Sequence, residues 1–161
     1  MLRRLAHLAL AALLLAAVAA YAVINLSSHD PALWHLDPAA LTLRGTPNEY
    51  LAAPPGTTVA PPNLLAAVHP QSPSALLACF DTIARARPRV AVVAGDVDSL
   101  MITYVQRSRI VGFPDYLTVK AVGAQGGAGL IVYSRSRYGH GDFGVNLARV
   151  VAWMKESGAV C

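Results

Sequence analysis

The stretch LIVYSRSRYGHGDFGVNLARV (130–150) changes from a strand pattern to a helix pattern within a few residues. Its first part, Leu130 to Arg137, is rich in β-branched and aromatic residues, which predicts a strand. Glycines follow, and Asp142 can cap a helix that is expected to end near Gly158. The predicted apolar face of that helix consists of Phe143, Leu147, Val150, Val151 and Met154. This junction favours a mixed α+β domain.

The preceding sequence supplies the other elements of this domain. Ser72-Pro73 is typical of a helix start, and Pro88 ends that helix. Its apolar face consists of Leu76, Cys79, Phe80 and Ile83. Patterns with a period of two then predict strands around Val90–Val92, Met101–Val105 and Leu117–Ala121. Because the connections are too short for crossovers, we expect a four-stranded antiparallel sheet with two helices packed on one face, over residues 73–161.

Proline dominates residues 29–72, which rules out long regular elements there. Apolar side chains nevertheless recur along this segment, namely Trp34, Leu36, Leu41, Tyr50, Leu51, Val59 and Leu64. We therefore expect an extended strap whose apolar residues dock on another surface.

Residues 1–28 are predicted to form a cytoplasmic stub and a transmembrane anchor. No charged side chain occurs from Leu5 to Leu26, a stretch that is ~33 Å long as a helix and close to the hydrocarbon thickness of a bilayer. Arg3 and Arg4 precede it, which predicts a cytoplasmic N-terminus and an exported C-terminal domain. The alternative is a cleaved signal peptide, since 17–19 and 20–22 both offer small residues at peptidase spacing.

The charge of the chain excludes some classes of function. The formal net charge is +4, and without Arg3 and Arg4 the exported part carries only about +2. Nucleic-acid binding is not indicated, because basic residues do not cluster with aromatic ones. No cofactor motif is present, and metal-ligand residue types at His29, Asp30, His35 and Asp37 lack a recurring spacing, so neither a cofactor nor a metal is predicted.

Cys79 and Cys161 allow two interpretations. In an oxidising compartment they can form a disulfide between an early helix and the C-terminus. Alternatively, Cys79 is a small core residue and Cys161 is a terminal thiol. The separation of the two Cα atoms decides between them, and the sequence does not supply it.

The strand-to-helix junction carries the candidate binding residues. Arg135 and Arg137 are two apart on a strand and therefore share a face, so with the following helix start they could hold a phosphate, a carboxylate or a lipid headgroup. The full candidate set is Asp115, Arg135, Arg137, His140, Asp142, Asn146 and Arg149. The structural alternative is that Asp115 and Asp142 neutralise the arginines while Asn146 holds the loop by hydrogen bonds.

The same junction resembles a known family. The residues Ser134-Arg135-Ser136-Arg137 with Gly139, Gly141, Asp142, Gly144 and Asn146, together with Gly112-Phe113-Pro114-Asp115 and Arg149, resemble the bacterial and plastid family called domain of unknown function 1499. The resemblance runs from Pro47 to Met154. It implies a small exported or membrane-attached domain, without an established activity or catalytic residues. Glu49 and Tyr50 stand near the position where a cysteine is common in the family, which argues against a shared disulfide.

Three functions follow in order of preference. The first is a membrane-anchored binding module for an anionic ligand, a lipid headgroup or a partner protein. The second is an accessory subunit of a membrane protein complex, with contacts made by Ala16, Ala17, Ala19 and Ala20. The last is an enzyme that uses His140 and Asp142 for acid–base chemistry and Arg137 to hold an anion.

Overall fold

The computed structural model describes residues 1–161 as a mixed α+β fold with an N-terminal apolar helix, which confirms the predicted class. The helices are α1 (Leu2–Leu26), α2 (Pro31–Trp34), α3 (Pro73–Arg85) and α4 (Val145–Val160). The strands are β1 (Glu49–Ala53), β2 (Leu64–Leu65), β3 (Val68–His69), β4 (Val90–Asp96), β5 (Met101–Arg107), β6 (Pro114–Ala124) and β7 (Gly127–Ser136).

All the strands belong to one sheet, in the order β2-β1-β7-β6-β5-β4, with β3 also paired to β7. Strands β4 to β7 form the predicted antiparallel meander. Strand β1 is antiparallel to β7, whereas the short β2 runs parallel to β1. Strand β7 therefore lies inside the sheet, and its last residues are held between β1 and β6.

The predicted four-stranded sheet is wrong, because the sheet has seven strands. The three missed strands all lie in the proline-rich segment, so part of this segment belongs to the sheet. Two of them are only two residues long, too short to show a period. A fourth helix, α2, was also missed; it is a single turn that begins at Pro31 and is capped by the Asp30 side chain.

Helices α3 and α4 pack on one face of the sheet, as predicted for the two domain helices. Ser72 accepts a hydrogen bond from the backbone N–H of Ala75 and so caps α3 as expected. The main core lies between these helices and the sheet; its largest helix residues are Leu76, Leu77, Phe80, Val150 and Trp153. Alternate residues of β6 and β7 complete it, including Leu117, Val119, Leu130 and Val132.

The opposite face of the sheet is covered by the proline-rich segment. A second, smaller core contains Leu51, Ala53, Ile131 and Tyr133. Ala39, Leu41, Leu43 and Ala60 pack against it from outside the sheet. Both faces of the central strands are therefore buried, one by helices and the other by irregular chain.

The predicted apolar face of α4 is only partly correct. Val150 is fully buried, but Leu147 and Val151 are exposed, and Phe143 lies before the helix in solvent. The buried face consists of Asn146, Arg149, Val150, Trp153 and Ser157. Polar residues occupy this face because the sheet presents polar side chains at the start of α4. The helix also continues through Gly158 to Val160.

Helix α1 is long and apolar enough to cross a membrane. It spans 25 residues, its most apolar 18-residue window has a mean hydropathy of 2.3, and no residue of it is buried within the protein. Its length of ~37 Å exceeds the hydrocarbon thickness of a bilayer. A signal sequence near an N-terminus has the same length and composition.

A disulfide joins Cys79 of α3 to Cys161 at the C-terminus, one of the two states that the sequence left open. The two Cα atoms are 5.9 Å apart. The bond closes a loop with a sequence separation of 82 residues and fastens the end of α4 to α3.

Reduction of this disulfide should destabilise the domain. A loop of this size corresponds to about 4.5 kcal/mol of unfolded-state entropy. We expect the free energy of unfolding of the full chain in mild detergent to fall by about 3–5 kcal/mol on adding a thiol reductant. The double variant Cys79→Ser and Cys161→Ser serves as the control and should not respond to the reductant. An equal response of the parent and the variant would contradict this prediction.

Candidate functional site

The sheet separates the predicted site residues into two groups. Because side chains alternate along β7, Ser134 and Ser136 face the helices, whereas Arg135 and Arg137 face the proline-rich segment. Asp115, Asn146 and Arg149 lie with the serines. The paired guanidinium face predicted from the sequence is therefore present, but the three residues expected to support it are on the other side of the sheet.

On the helix side, the side-chain amide of Asn146 is the centre of a buried hydrogen-bond network. Its Nδ2 donates to the backbone oxygen of Asn48 (3.1 Å) and to Ser136 Oγ (2.9 Å). Its Oδ1 accepts from Ser134 Oγ (2.5 Å) and from Arg149 Nη1 (2.5 Å). The side-chain amide of Asn146 thus links β7 and the residue before β1 to the first turn of α4.

Arg149 extends this network to the neighbouring strands. Its Nη2 donates to Asp115 Oδ2 at 2.7 Å, and its Nε donates to Gln106 Oε1 at 2.7 Å. Both members of the Arg149–Asp115 pair are about nine-tenths buried. Each of the three guanidinium nitrogens has a partner, so this arginine is structural and has no nitrogen left without a bond for a ligand.

Asp142 caps α4 from just outside the helix. Its Oδ2 accepts from the backbone N–H of Asn146 at 2.7 Å, and its Oδ1 accepts from that of Gly144 at 3.0 Å. Both carboxylate oxygens are engaged with the helix start. The two aspartates thus neutralise Arg149 and the helix terminus, and neither contacts Arg135 or Arg137.

On the other face of the sheet, the indole of Trp34 stacks on Tyr116 and contacts two arginines. Its ring lies 3.7 Å from the Tyr116 ring at an angle of 7°. The guanidinium carbons of Arg135 and Arg137 lie 4.7 and 5.7 Å from the indole centroid. Arg135 also donates to the backbone oxygen of Leu33 at 3.0 Å. This cluster fastens the segment after α1 to the sheet.

Arg107, which the sequence analysis did not single out, binds the last turn of α1. Its guanidinium donates to the backbone oxygens of Ile24 (3.2 Å) and Asn25 (3.3 Å). The Asn25 side chain in turn donates to the backbone oxygen of Val111 at 3.0 Å. Carbonyl groups at the end of a helix lack hydrogen-bond donors within the helix, and Arg107 donates to two of these groups in α1.

His29 bridges Arg107 and Tyr116. Its Nδ1 lies 2.7 Å from the Tyr116 hydroxyl, and its Nε2 lies 3.0 Å from Arg107 Nη2. Since a guanidinium only donates, Nε2 must accept and the ring is neutral, with its proton on Nδ1. Burial, then the charges of Arg107 and Arg137, lower the pKa of His29 below its ordinary value. Burial likewise raises the pKa of the Tyr116 hydroxyl.

The arginines around α1 form no salt bridges. Five salt bridges occur in the protein, and none includes Arg107, Arg109, Arg135 or Arg137. Arg107 and Arg135 are held by carbonyl oxygens and aromatic rings, while Arg109 is exposed. Arg107, Arg109 and Arg137 therefore place positive charge near the end of α1 without a salt bridge, whereas Arg135 has the Glu49 carboxylate nearby.

Two cavities of about 380 Å³ each meet at Tyr138. One is lined by Ala22, Val23 and Leu26 of α1 together with Ser27, Arg137 and Tyr138. The other is lined by Tyr138, Phe113 and Phe143 among mainly small and polar residues, including Asp115 and Asp142. Both lie at one end of the domain, which we call the anchor end and define as residues 44–48, 108–113 and 137–144.

His140 lies at the anchor end but is exposed, and it lines neither cavity. No hydrogen bond joins His140 to Asp142, whose carboxylate oxygens both accept from backbone N–H groups. The arrangement therefore gives His140 no partner for acid–base chemistry. No group of three or more His, Cys, Asp and Glu side chains is placed to hold a metal ion.

Removal of the Asn146 side-chain amide should destabilise the fold. Asn146→Ala would remove four buried hydrogen bonds and leave Ser136 Oγ without a partner, at a cost of about 3 kcal/mol. The matched control is Leu147→Ala, an exposed neighbour on the same helix, which should cost less than about 1 kcal/mol. Denaturant unfolding of the full chain in mild detergent measures both values. Similar losses for the two variants would contradict a central role for Asn146.

The neutral His29 should make the stability depend on pH. Because its pKa is lower in the folded state, the unfolded chain binds more protons, so the free energy of unfolding should fall as the pH decreases through about 6.5. His29→Gln should remove this dependence, since glutamine does not titrate. His140→Gln, which replaces an exposed histidine, is the control and should retain it. Unfolding curves of the parent without any decrease between neutral and mildly acidic pH would contradict the prediction.

Comparison with known proteins identifies the family but adds no function. Residues 42–156 match the family described as "Protein of unknown function (DUF1499)", a range that runs from just before β1 to near the end of α4. No curated protein and no solved structure is similar enough to match the chain. The matched range includes the strand-to-helix junction and covers most of the chain, so the protein belongs to the DUF1499 family.

Proposed function

We propose that this protein is a single-pass membrane-anchored interaction module that binds an anionic lipid headgroup at the outer surface of a bacterial inner membrane. Helix α1 spans the bilayer, the N-terminus is cytoplasmic, and the domain lies in the periplasm. The headgroup phosphate binds Arg137 in the cavity between the domain and the last turns of α1.

The membrane topology rests on the two ends of α1. Arg3 and Arg4 precede the apolar stretch, and basic residues of this kind stay on the cytoplasmic side. The Cys79–Cys161 disulfide supports the same direction, since disulfides form and persist in exported domains.

The observation that carries the proposal is the hydrogen bonding of Arg137. Its Nη1 donates to the backbone oxygen of Ser28 (2.7 Å) and to the Tyr116 hydroxyl (3.3 Å), which fixes the guanidinium plane. Its Nε and Nη2 make no bond within the protein and belong to a partly exposed side chain. A guanidinium with two donors left in a fixed plane suits the oxygens of a phosphate.

The surroundings of Arg137 match the two parts of a phospholipid. Ala22, Val23 and Leu26 give the cavity an apolar wall that continues the membrane helix. The charges of Arg107 and Arg109, which form no salt bridge, make the region positive and favour an anion. An acyl chain can therefore follow α1 into the bilayer while the phosphate stays at Arg137.

The helix-side group is a weaker candidate for the same ligand. Arg149 has a partner for each nitrogen, and Asp115 holds it at 2.7 Å. A ligand there would have to displace existing bonds, whereas at Arg137 it would satisfy free donors. The proposal therefore assigns Asn146, Arg149, Asp115 and Asp142 to the fold and Arg137 to the ligand.

Replacement of Arg137 should weaken binding of acidic lipid. We expect Arg137→Gln to lose about 1.5 kcal/mol of charge-assisted hydrogen bonding, a roughly tenfold weaker affinity for phosphatidylglycerol. The measurement is the fraction of full-length protein that retains phosphatidylglycerol, by native mass spectrometry from nanodiscs of phosphatidylcholine and phosphatidylglycerol.

The matched control is Lys155→Gln, which removes one exposed positive charge near the far end of α4. It should retain the lipid as the parent does. Equal retention by Arg137→Gln and the parent would refute the assignment of Arg137. Equal losses for both variants would show a dependence on net charge alone, which also contradicts a defined site.

A further inference from the structure

The anchor end of the domain carries apolar side chains that the fold leaves exposed. Ile110 is 88% exposed at the tip of the loop between β5 and β6, and Phe143 is fully exposed in the loop before α4. Phe113 is 40% exposed beside them. Large apolar side chains at adjacent loop tips are costly in water, and such a surface indicates a partner.

Phe143 is unusual for a second reason. Its backbone φ is 54°, in the left-handed region that glycine and asparagine prefer. Neither its conformation nor its burial explains a phenylalanine at this position. An apolar partner outside the protein would explain the side chain.

The position of these residues relative to α1 identifies the partner. The backbone oxygen of Val111, next to Ile110, accepts a hydrogen bond from Asn25 in the last turn of α1. Gly112 lies so close to Asn25 that a Cβ atom there would stand 2.3 Å from its side-chain oxygen. The loop of Ile110 is therefore held at the level where the apolar stretch of α1 ends.

The second loop lies at a similar depth. Tyr138 lines a cavity with Ala22 and Val23, which are about one helical turn further into the apolar stretch than Leu26. Tyr138 and Phe143 line the other cavity together with Phe113. Tyrosine prefers the boundary between headgroups and acyl chains, and α1 places Tyr138 at that boundary with the two phenylalanines beside it.

From this geometry we infer that the anchor end penetrates the interfacial region of the bilayer, with Ile110 and Phe143 in contact with lipid. The inference rests on the part of the proposed function in which α1 spans the membrane, and it does not depend on Arg137. The partner is a phospholipid surface because the chain's own membrane helix emerges beside both loops, and because the nearby arginines suit acidic headgroups.

Site-specific photocrosslinking tests this contact. The full chain is reconstituted into vesicles of phosphatidylcholine and phosphatidylglycerol with benzoylphenylalanine at one position at a time. The test positions are Ile110 and Phe143, and the matched control is Leu65, which is 66% exposed near the opposite end of α4. A probe at Leu14, in the middle of α1, reports whether the helix spans the membrane. Intact mass measures the phospholipid adducts after irradiation.

We expect lipid adducts at Leu14, Ile110 and Phe143, with a yield at the two loops at least fivefold higher than at Leu65. Adducts at Leu14 without adducts at the loops would overturn the inference and leave the anchor intact. Equal yields at the loops and at Leu65 would also overturn it, since lipid contact would then not be confined to the anchor end of the domain. Absence of adducts at Leu14 would refute both the spanning helix and the inference.

Discussion

The stacking of Trp34 on Tyr116 is the contact on which the attachment of the segment after α1 to the sheet depends. The two rings are nearly parallel, and the guanidinium groups of Arg135 and Arg137 lie 4.7 and 5.7 Å from the centroid of the same indole. Ring faces and backbone carbonyls thus hold these guanidiniums, where other proteins would use carboxylates. The contact that fastens the segment after α1 to the sheet therefore leaves the arginine charges available for an anion outside the protein.

Because side chains alternate along β7, the two faces of the sheet carry different sets of polar residues. Ser134 and Ser136 point toward α4 and bind Asn146, while Arg135 and Arg137 point toward the segment from α1. A shift of one residue in the register would exchange the two sets. The buried network at Asn146 fixes that register, because its partners belong to β7, α4 and the residue before β1. The structural residues on one face thereby position the arginines on the other.

Elements with a clear repeating pattern of side chains were predicted from the sequence. Elements that form through contacts with distant parts of the chain were not. The period of two gave strands β4 to β7 and placed Arg135 and Arg137 on one face. Strands β2 and β3 were missed because two residues show no period, and they exist through pairing with β1 and β7. The apolar face of α4 was misjudged because Asn146 and Arg149 are buried by partners that lie far away in the chain. Arg107 was overlooked because it binds backbone oxygens, which no side-chain pattern reveals.

The bonds of Arg107 join helix α1 to the domain. The final carbonyl groups of a helix have no partner within it, and near a bilayer few other donors are available. Arg107 satisfies those of Ile24 and Asn25 and places a positive charge at the negative end of the helix. Both residues follow the two candidate signal-peptidase sites, so these bonds would survive cleavage there. Cleavage after residue 22 would also remove Ala22 from the wall of the cavity at Arg137, whereas cleavage after residue 19 would leave that wall in place. The last turn of α1 thus contributes both to the bonds with Arg107 and to the cavity at Arg137, so in the proposed function anchoring and lipid binding would depend on the same part of the chain.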